Sequence, residues 1–291
     1  MVGEKFNIFS LLKYLFIAAF AVIILYPLLH VLAVSLSSNN AILSNRVTFY
    51  PIGFNPYAYI VIWQTSDLGP AYLNTLRYVA LHTTLAIIVT SCAAYALSKG
   101  RRLWGFNFFT NMILITMFFS GGMIPTYLTM RAYGLINTTA VIVLMGCMSA
   151  WNIIIMRTFF QSLPQDLEDA GKIDGLNDFG VLYHVMIPLS GPILATISLF
   201  YAVGQWNSFM TPFIYLTEPR RWPVQILLRQ ILIQGTVLAE GQGHDMTAEF
   251  MMLSQSLINA TIVVSIIPII MIYPFLQKFF VKGIMIGSIK G

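Results

Sequence analysis

Residues 162–192 read SLPQDLEDAGKIDGLNDFGVLYHVMIPLSGP, and they form a polar stretch between two long apolar runs. Asp166 and Glu168 suit the first turns of a helix, where the helix dipole favours negative charge. Gly175 is the type of residue that commonly follows a helix end, and Asn177 suits the cap of a second helix. The stretch therefore predicts two short helices that bend at the glycine and lead into the next apolar run.

The first of these helices is predicted to have one apolar face. The residues on it recur at helical spacing, and they are Leu163, Leu167, Ala170 and Gly171. A face with small residues in its middle can enter a narrow cleft closely. Ser162 and Gln165 have the spacing of a capping box, with Pro164 suited to the first turn. Pro188 is expected to end the second helix.

Three interpretations suit the acids of this stretch: a solvated loop, a metal site, or a surface that another protein binds. A calcium loop needs the pattern D-x-[DN]-x-[DN]-G with a closing glutamate, and the acids here have a different spacing. The residues alone leave both the solvated loop and the docking surface open.

The chain as a whole has the composition of a membrane protein. Of its 291 residues, 57% are hydrophobic and 9% are charged. In lipid, backbone groups must be hydrogen-bonded within the protein, which allows helices or a closed barrel. The apolar runs are long and do not alternate as barrel strands do. We therefore predict an all-α membrane protein whose first apolar run is a retained span and not a cleaved signal.

Six apolar runs reach the roughly 20 residues that a spanning helix needs. They predict transmembrane helices near 11–36, 73–98, 104–130, 136–160, 189–216 and 256–280. The connections are an inner loop at 162–187 and outer loops at 37–70 and 217–255, all within one domain over 1–291. In the second outer loop, Trp222 and Pro223 are expected to open an amphipathic helix at the membrane interface.

The lysines predict the orientation, because cytoplasmic loops carry an excess of Lys and Arg. In the six-span arrangement all lysines fall on one side, and they are Lys5, Lys13, Lys99, Lys172, Lys278, Lys282 and Lys290. The opposite side holds the arginines Arg46, Arg131, Arg220, Arg221 and Arg229. Both termini and the 162–187 loop are therefore predicted to be cytoplasmic, and the net charge of +5 needs no nucleic-acid partner.

The sequence lacks the motifs of a conventional enzyme. It contains no G-x-x-x-x-G-K-[ST], so it has no phosphate-binding loop of that kind. Its four histidines are scattered without metal-ligand spacing. Two of them, His30 and His82, fall on separate predicted spans, where each would have to face a haem in order to bind it. A histidine that binds haem normally comes with a paired residue that orients it, which argues against a haem site here. We expect no catalytic residue, no metal and no cofactor bound by this chain.

DAGKIDGLNDFGVLYHVMIPLSGP resembles the cytoplasmic EAA loop of ABC-importer permeases, whose pattern is E-A-A-x-x-D-G-A, then a spaced apolar pair, then L-P. The matching positions are Asp169, Ala170 and Gly171, then Asp174, Gly175 and Leu176, then Leu182 and Val185, then Ile187 and Pro188. The departures are Asp for Glu, Gly and Leu for Ala, and Ile for Leu. The stretch 162–187 is named the coupling loop from here on.

Other stretches extend the resemblance over nearly the whole chain. FSGGMIPTYLTMRAYGLINT, WNSFMTPFIYLTEPRRWPVQILLRQIL and QKFFVKGIMIGSIKG are similar to carbohydrate-importer permeases of the maltose-type class, and most similar to the branch for complex oligosaccharides and polysaccharides. The resemblance implies the type I importer permease fold in a bacterial inner membrane. It also implies a second permease subunit, two cytoplasmic ATPase subunits that bind ATP and Mg²⁺, and an extracytoplasmic sugar-binding protein.

The resemblance implies that the coupling loop docks on an ATPase subunit. The residues assigned to this role are Asp169, Ala170, Gly171, Asp174, Gly175, Leu176 and Pro188. The sugar path is expected near polar and aromatic residues in spans four and five. These are Trp151, Asn152, Gln205, Trp206, Asn207 and Phe209, although bonding between helices explains such residues equally well.

Two alternatives to an importer subunit are a self-sufficient secondary transporter or channel, and a structural membrane scaffold. A secondary transporter needs buried carboxylates for an ion or proton relay, and no Asp or Glu lies inside a predicted span. The outer arginines suit either an anionic polysaccharide, such as a uronate polymer, or acidic groups on a binding protein. The sequence leaves that choice open.

Overall fold

The computed structural model describes residues 8–65, 67–239 and 255–271, which form helices and turns without a strand. In chain order the helices are α1 (Ile8–Ser35), α2 (Asn39–Leu43), α3 (Tyr57–Thr65), α4 (Leu68–Ser98), α5 (Phe106–Phe118), α6 (Met123–Ala132), α7 (Thr139–Leu144), α8 (Ala150–Ser162), α9 (Gln165–Ile173), α10 (Asp178–Leu189), α11 (Gly191–Trp206), α12 (Met210–Tyr215), α13 (Val224–Ala239) and α14 (Gln255–Met271). The all-α prediction is confirmed for this part of the chain.

Two helices match the first two predicted spans. α1 and α4 are each long and apolar enough to cross a membrane. Up to four spans are found in the described residues if each bent pair of helices counts as one. The count of six therefore stays a prediction, and both chain termini and residues 272–280 of the sixth predicted span lie outside the described residues.

The third predicted span, 104–130, corresponds to two helices rather than one. α5 and α6 are bent by 120° at the sequence FSGG, residues 119–122. Gly122 has a φ of +83°, which a residue with a side chain rarely adopts. The chain therefore reverses direction sharply at these paired glycines.

The fourth predicted span, 136–160, is interrupted between α7 and α8. Side chains form hydrogen bonds with backbone groups in this interruption. His82 Nδ1 of α4 donates to the carbonyl oxygen of Val143 at 2.9 Å. The Tyr201 hydroxyl of α11 accepts from the backbone N–H of Ser149 at 3.1 Å, and it lies 2.8 Å from Thr90 Oγ1. Because lipid offers no hydrogen bonds, such partners are what permit a broken helix. His82 thus has a structural partner.

The described residues divide into two units, one with residues 8–65, 67–68, 227–239 and 255–268 and the other with residues 69–226 and 269–271. In the first unit the segment after α1 folds back on the end of that helix. Ser38 N–H donates to the Ile52 carbonyl at 2.9 Å, and His30 Nδ1 lies 3.1 Å from the Thr48 carbonyl oxygen. The second unit contains the coupling loop and the residues that hold it.

Candidate functional site

The coupling loop consists of α9 and α10, joined by a tight turn at Gly175. The Leu176 N–H donates to the Gly171 carbonyl and the Gly175 N–H to the Lys172 carbonyl, each at 3.0 Å. This pair of bonds is the Schellman motif, which requires a left-handed residue after the helix. Gly175 has a φ of +85°. The predicted stop at Gly175 is confirmed.

The start of α10 also agrees with the sequence. Asn177 is its N-cap, and the Asn177 Oδ1 accepts from the Gly180 N–H at 2.8 Å. Lys172 of α9 forms an ion pair with Asp178 of α10 at 3.3 Å. The two helices are therefore joined by a backbone motif, a cap and an exposed ion pair.

The predicted capping box of α9 is wrong. Ser162 is the last residue of α8, and its hydroxyl donates to the Phe159 carbonyl at 2.7 Å instead of capping α9. Pro164 occupies the N-cap position, and α9 begins at Gln165 without a side-chain cap. The Ser162 hydroxyl bonds to the backbone of α8, the preceding helix, and the spacing of residues alone does not reveal this.

The second helix ends one residue beyond Pro188, the residue that was predicted to end it. α10 continues past it to Leu189, and the chain bends by 89° between α10 and α11. Ahead of the proline, residues Leu182–Met186 form a wider π turn in which the Ile187 N–H donates to the Leu182 carbonyl. Such single π turns accommodate irregularities within a helix. The bend itself is at Ser190, which is buried.

The apolar face predicted for α9 is only partly open. Gly171 is buried, whereas Ala170 and Leu167 are exposed. A Cβ added at Gly171 would lie 3.3 Å from a Val181 methyl and 3.4 Å from a Val185 methyl. The glycine therefore lets α9 and α10 approach each other, and it does not form part of an open docking face.

The structure places the other predicted coupling residues mostly on the surface. Asp169, Ala170, Asp174, Gly175 and Pro188 are exposed, and Leu176 is partly buried against the core. Their role in docking stays a prediction.

Large apolar residues on the coupling loop are exposed, and the sequence pattern did not single out these residues. The exposed fractions are 86% for Ile173, 76% for Phe179 and 68% for Tyr183. Phe179 and Tyr183 are one turn apart and lie on the same face of α10. Bulky apolar residues next to Asp and Asn in a polar loop were the available signal.

An ion pair connects the coupling loop to α4. Lys99, which follows the last residue of α4, pairs with Glu168 of α9. The exposed fractions of the two side chains are 17% and 15%. Lys99 Nζ also donates to the Tyr95 hydroxyl at 2.8 Å and lies 4.0 Å from the centre of that ring. An ion pair with so little water around it is far less screened than one on the surface.

A cavity of about 370 Å³ lies beside this ion pair. Its lining residues are Ser98, Lys99, Arg102, Phe160, Gln161, Leu163, Gln165 and Glu168. With the Gln165 amide oriented so that its oxygen faces Arg102, the guanidinium donates to that oxygen at 2.7 Å. The start of α9 thus has polar partners on the segment between α4 and α5.

The residues predicted for the sugar path differ widely in exposure. Trp206 is 4% exposed and packs against the Tyr72 ring, whose centre is 5.9 Å away. Gln205 is partly buried, and the exposed Asn207 donates from Nδ2 to the Val203 carbonyl at 3.0 Å. Phe209 lies in the break before α12, and its ring stacks on the ring of Phe213 within that helix.

The second predicted pair lies at the start of α8. Trp151 is 61% exposed, whereas Asn152 is 6% exposed. Trp151 is therefore accessible in this chain, whereas Trp206 is not. The part of these residues in sugar passage stays a prediction.

The segment before α13 is attached to the end of α4 remote from Lys99. Asn74 Nδ2 donates to the Arg220 carbonyl at 2.7 Å, and the Tyr78 hydroxyl donates to the Arg221 carbonyl at 2.9 Å. Thr75 Oγ1 accepts from the Val224 N–H at 2.9 Å. The predicted helix after Pro223 is confirmed, since α13 begins at Val224.

The same segment contains an acid among its arginines. Glu218 accepts from Arg221 Nε at 3.0 Å and from Asn137 Nδ2 at 2.7 Å. These hydrogen bonds, the one from Arg221 first, hold the pKa of Glu218 below its usual value. Arg221 is therefore partly neutralised.

Comparison with known proteins identifies the family. No protein-family model matches the chain. The chain is 38% identical to the "Polygalacturonan/rhamnogalacturonan transport system permease protein YtcP" of Bacillus subtilis (strain 168), with 99% of this chain and 100% of that protein aligned. It is 35% identical to "Protein LplC" of the same organism, over 98% of this chain and 96% of that protein.

A solved structure supports the same assignment. One chain of a bacterial ABC transporter involved in the import of the acidic polysaccharide alginate matches with a TM-score of 0.83 and 32% identity. The match covers 95% of this chain and 100% of that one. The fold and the full-length identity agree, and this chain belongs to the membrane permease subunits of carbohydrate ABC importers.

Proposed function

We propose that this chain forms half of an importer pore, that its coupling loop docks on a cytoplasmic ATPase subunit, and that the cargo is an acidic oligosaccharide or polysaccharide. The other half of the pore is a second permease subunit, and an extracytoplasmic binding protein delivers the sugar. The chain itself hydrolyses no ATP. The observation that carries the docking part is the exposed apolar surface of the coupling loop.

The docking surface consists of Ile173, Phe179 and Tyr183. A polar loop gains nothing from exposing three large apolar side chains to water, and such patches commonly mark protein–protein contacts. Aromatic residues are also the usual anchors at interfaces. The loop that presents them is held firmly by the Schellman motif and the Asn177 cap. A partner that binds it can therefore push on α10 and, through the bend at Ser190, on α11.

Docking is tested by alanine substitution in the assembled transporter. We expect Phe179→Ala and Tyr183→Ala to weaken retention of the ATPase subunit by about 2 kcal/mol each, the usual cost at an interface anchor. The measurement is the affinity of the ATPase subunit for the purified permease pair. Leu189→Ala is the control, because Leu189 is 47% exposed but lies at the far end of α10. Unchanged affinity in both aromatic variants would rule out this surface.

The proposed topology has six spans with both termini and the coupling loop in the cytoplasm. It rests on the distribution of the lysines and on α1 and α4, which are long enough to cross the bilayer. In a chain without Cys92 and Cys147, a cysteine at Lys172 should react with an impermeant maleimide only in inverted vesicles. A cysteine at Arg220 should react only from outside. Both reacting on one side would contradict the topology.

The acidic cargo is proposed from the relatives and from the arginines near the outer end of α4. The names of one relative and of the matched structure refer to polygalacturonan or rhamnogalacturonan and to alginate, which are acidic polymers. In this chain Arg77 lies one turn from Asn74, which binds the backbone of Arg220. On this segment Glu218 forms an ion pair with Arg221, and the charge of Arg220 also acts on it. A net positive surface attracts polyuronates.

The cargo is tested with oligogalacturonates and the same chains after their carboxylates have been reduced to alcohols. We expect uptake and sugar-stimulated ATP hydrolysis with the acid form alone. Arg77→Gln and Arg220→Gln should lower uptake severalfold, more at low salt than at high salt. Arg46→Gln, in the other unit, is the control. Equal transport of the reduced chains would reject an acidic cargo.

A further inference from the structure

We infer that α4 is a rigid link between the segment 218–224 and the coupling helix α9, and that the Lys99–Glu168 ion pair is the joint that positions α9 on it. This inference rests on the proposed function of the coupling loop. It adds a second connection to the covalent one through α10 and α11. Lys99 and Glu168 are positioning residues, and neither touches sugar or nucleotide.

α4 is suited to transmit a displacement along its length. It is continuous from Leu68 to Ser98 and carries no internal proline beyond its first turn. At about 1.5 Å per residue, about 35 Å of helix separates Thr75 from Ser98. An unbroken helix of this kind moves as one body, whereas the paths through α5–α6 and α7–α8 contain breaks.

The first end of α4 holds the segment 218–224 through three side chains. Asn74 binds the Arg220 carbonyl, Tyr78 binds the Arg221 carbonyl, and Thr75 accepts the Val224 N–H. Thr75 is 1% exposed and Tyr78 is 3% exposed, so two of the three contacts are shielded from water. A movement of this segment is therefore transferred to the helix.

The other end of α4 holds α9 through the ion pair. Glu168 is the residue of α9 that Lys99 binds, and Lys99 is itself fixed by the hydroxyl and the ring face of Tyr95. The Tyr95 ring meets Phe160 of α8 edge-on, with 6.2 Å between centres. Lys99 therefore has little freedom, which distinguishes this pair from the Lys172–Asp178 pair, whose side chains are 48% and 68% exposed.

The joint is tested with a double-mutant cycle of neutral, similarly sized residues: Lys99→Met, Glu168→Gln and both together. The measurement in the complete transporter is the ratio of sugar-stimulated to basal ATP hydrolysis. We expect each single variant to lower this ratio about tenfold and the double variant to lower it about tenfold also, since independent sites would give about a hundredfold. The matched control is the cycle of Lys172→Met and Asp178→Asn, which should change the ratio less than twofold.

The link along α4 is tested by combining Thr75→Val with Lys99→Met. Distant substitutions without shared contacts normally have additive effects. We expect the pair to lower the ratio no more than the stronger single variant does. Multiplication of the two effects would overturn the link, and a ratio unchanged by Lys99→Met would overturn the joint.

Retention of the ATPase subunit is measured in the same preparations. We expect the Lys99 and Glu168 variants to retain it fully. If they lose the ATPase subunit, the ion pair supports docking and the inference is overturned. If Phe179→Ala and Tyr183→Ala retain the ATPase subunit, it is the proposed function that fails. The two failures are therefore distinguishable.

Discussion

The Tyr201 hydroxyl accepts a hydrogen bond from the backbone N–H of Ser149, across the break between α7 and α8. Removal of the hydroxyl leaves that N–H and Thr90 Oγ1 without this partner in a buried place. We expect Tyr201→Phe to lower the free energy of unfolding by about 1–3 kcal/mol. The measurement is the thermal midpoint of the purified complex. Tyr133→Phe is the control, since Tyr133 is 75% exposed, and an equal loss in both would contradict the prediction.

The turn at Gly175 makes a second prediction. Its φ of +85° costs an L-residue about 1–2 kcal/mol, although a Cβ there would meet nothing within 4 Å. Gly175→Ala should therefore speed amide hydrogen exchange across 165–176, measured by mass spectrometry, and should lower stimulated ATP hydrolysis. Gly191→Ala is the control, because Gly191 also has open space around it but no left-handed backbone. Unchanged exchange in Gly175→Ala would show that strain at this turn is unimportant.

The two tryptophans assigned to the sugar path should behave differently. Trp206 is nearly fully buried, so Trp206→Ala should destabilise the protein by about 3–5 kcal/mol. Trp151 is mostly exposed, and Trp151→Ala should change stability by less than about 0.5 kcal/mol. If Trp151 contacts sugar, its removal lowers uptake at unchanged thermal midpoint. Normal uptake by Trp151→Ala would remove this residue from the path.

Glu218 predicts a pH dependence of the segment before α13. Its pKa is lowered from 4.5 by Arg221 and then by Asn137, so its contribution is complete above the unfolded value. That contribution is lost as pH falls below about 4.5 and through the lowered folded-state pKa. The fluorine NMR signal of 5-fluorotryptophan at position 222 should shift in this range. The signal is assigned with Trp222→Phe, and Glu218→Gln should abolish the shift.

Local signals in the sequence predicted the turn of the coupling loop well, since this turn depends on neighbouring residues. Gly175 needs only its own backbone freedom, and Asn177 caps the N–H of Gly180 three residues on. The capping box failed because Ser162 has two possible backbone partners, and the preceding helix takes it. Short-range rules are reliable where one partner is available and unreliable where two compete.

Contacts between distant residues could not be predicted in the same way. The pattern of apolar residues gives the length of an apolar segment, but it does not show that the chain reverses direction within it, as it does at Gly122. Likewise, the hydrogen bond between the Tyr201 hydroxyl and the Ser149 N–H joins separate helices. Each residue alone is of a type that is ordinary in a membrane span. In the sequence, Lys99 indicated the cytoplasmic side and Glu168 suited the first turn of a helix. Neither residue indicated the other, and they meet only in the folded chain.

The close approach of Gly171 to Val181 has an evolutionary consequence. A Cβ at 171 would lie 3.3 Å from a Val181 methyl and 3.4 Å from a Val185 methyl, so a larger residue at 171 needs these side chains to shift by a few tenths of an ångström. The EAA pattern has alanine at the place of Gly171, so relatives with that alanine are expected to carry a residue smaller than valine at the place of Val181. The two positions should therefore covary across the family, with glycine opposite a branched side chain and alanine opposite a small one.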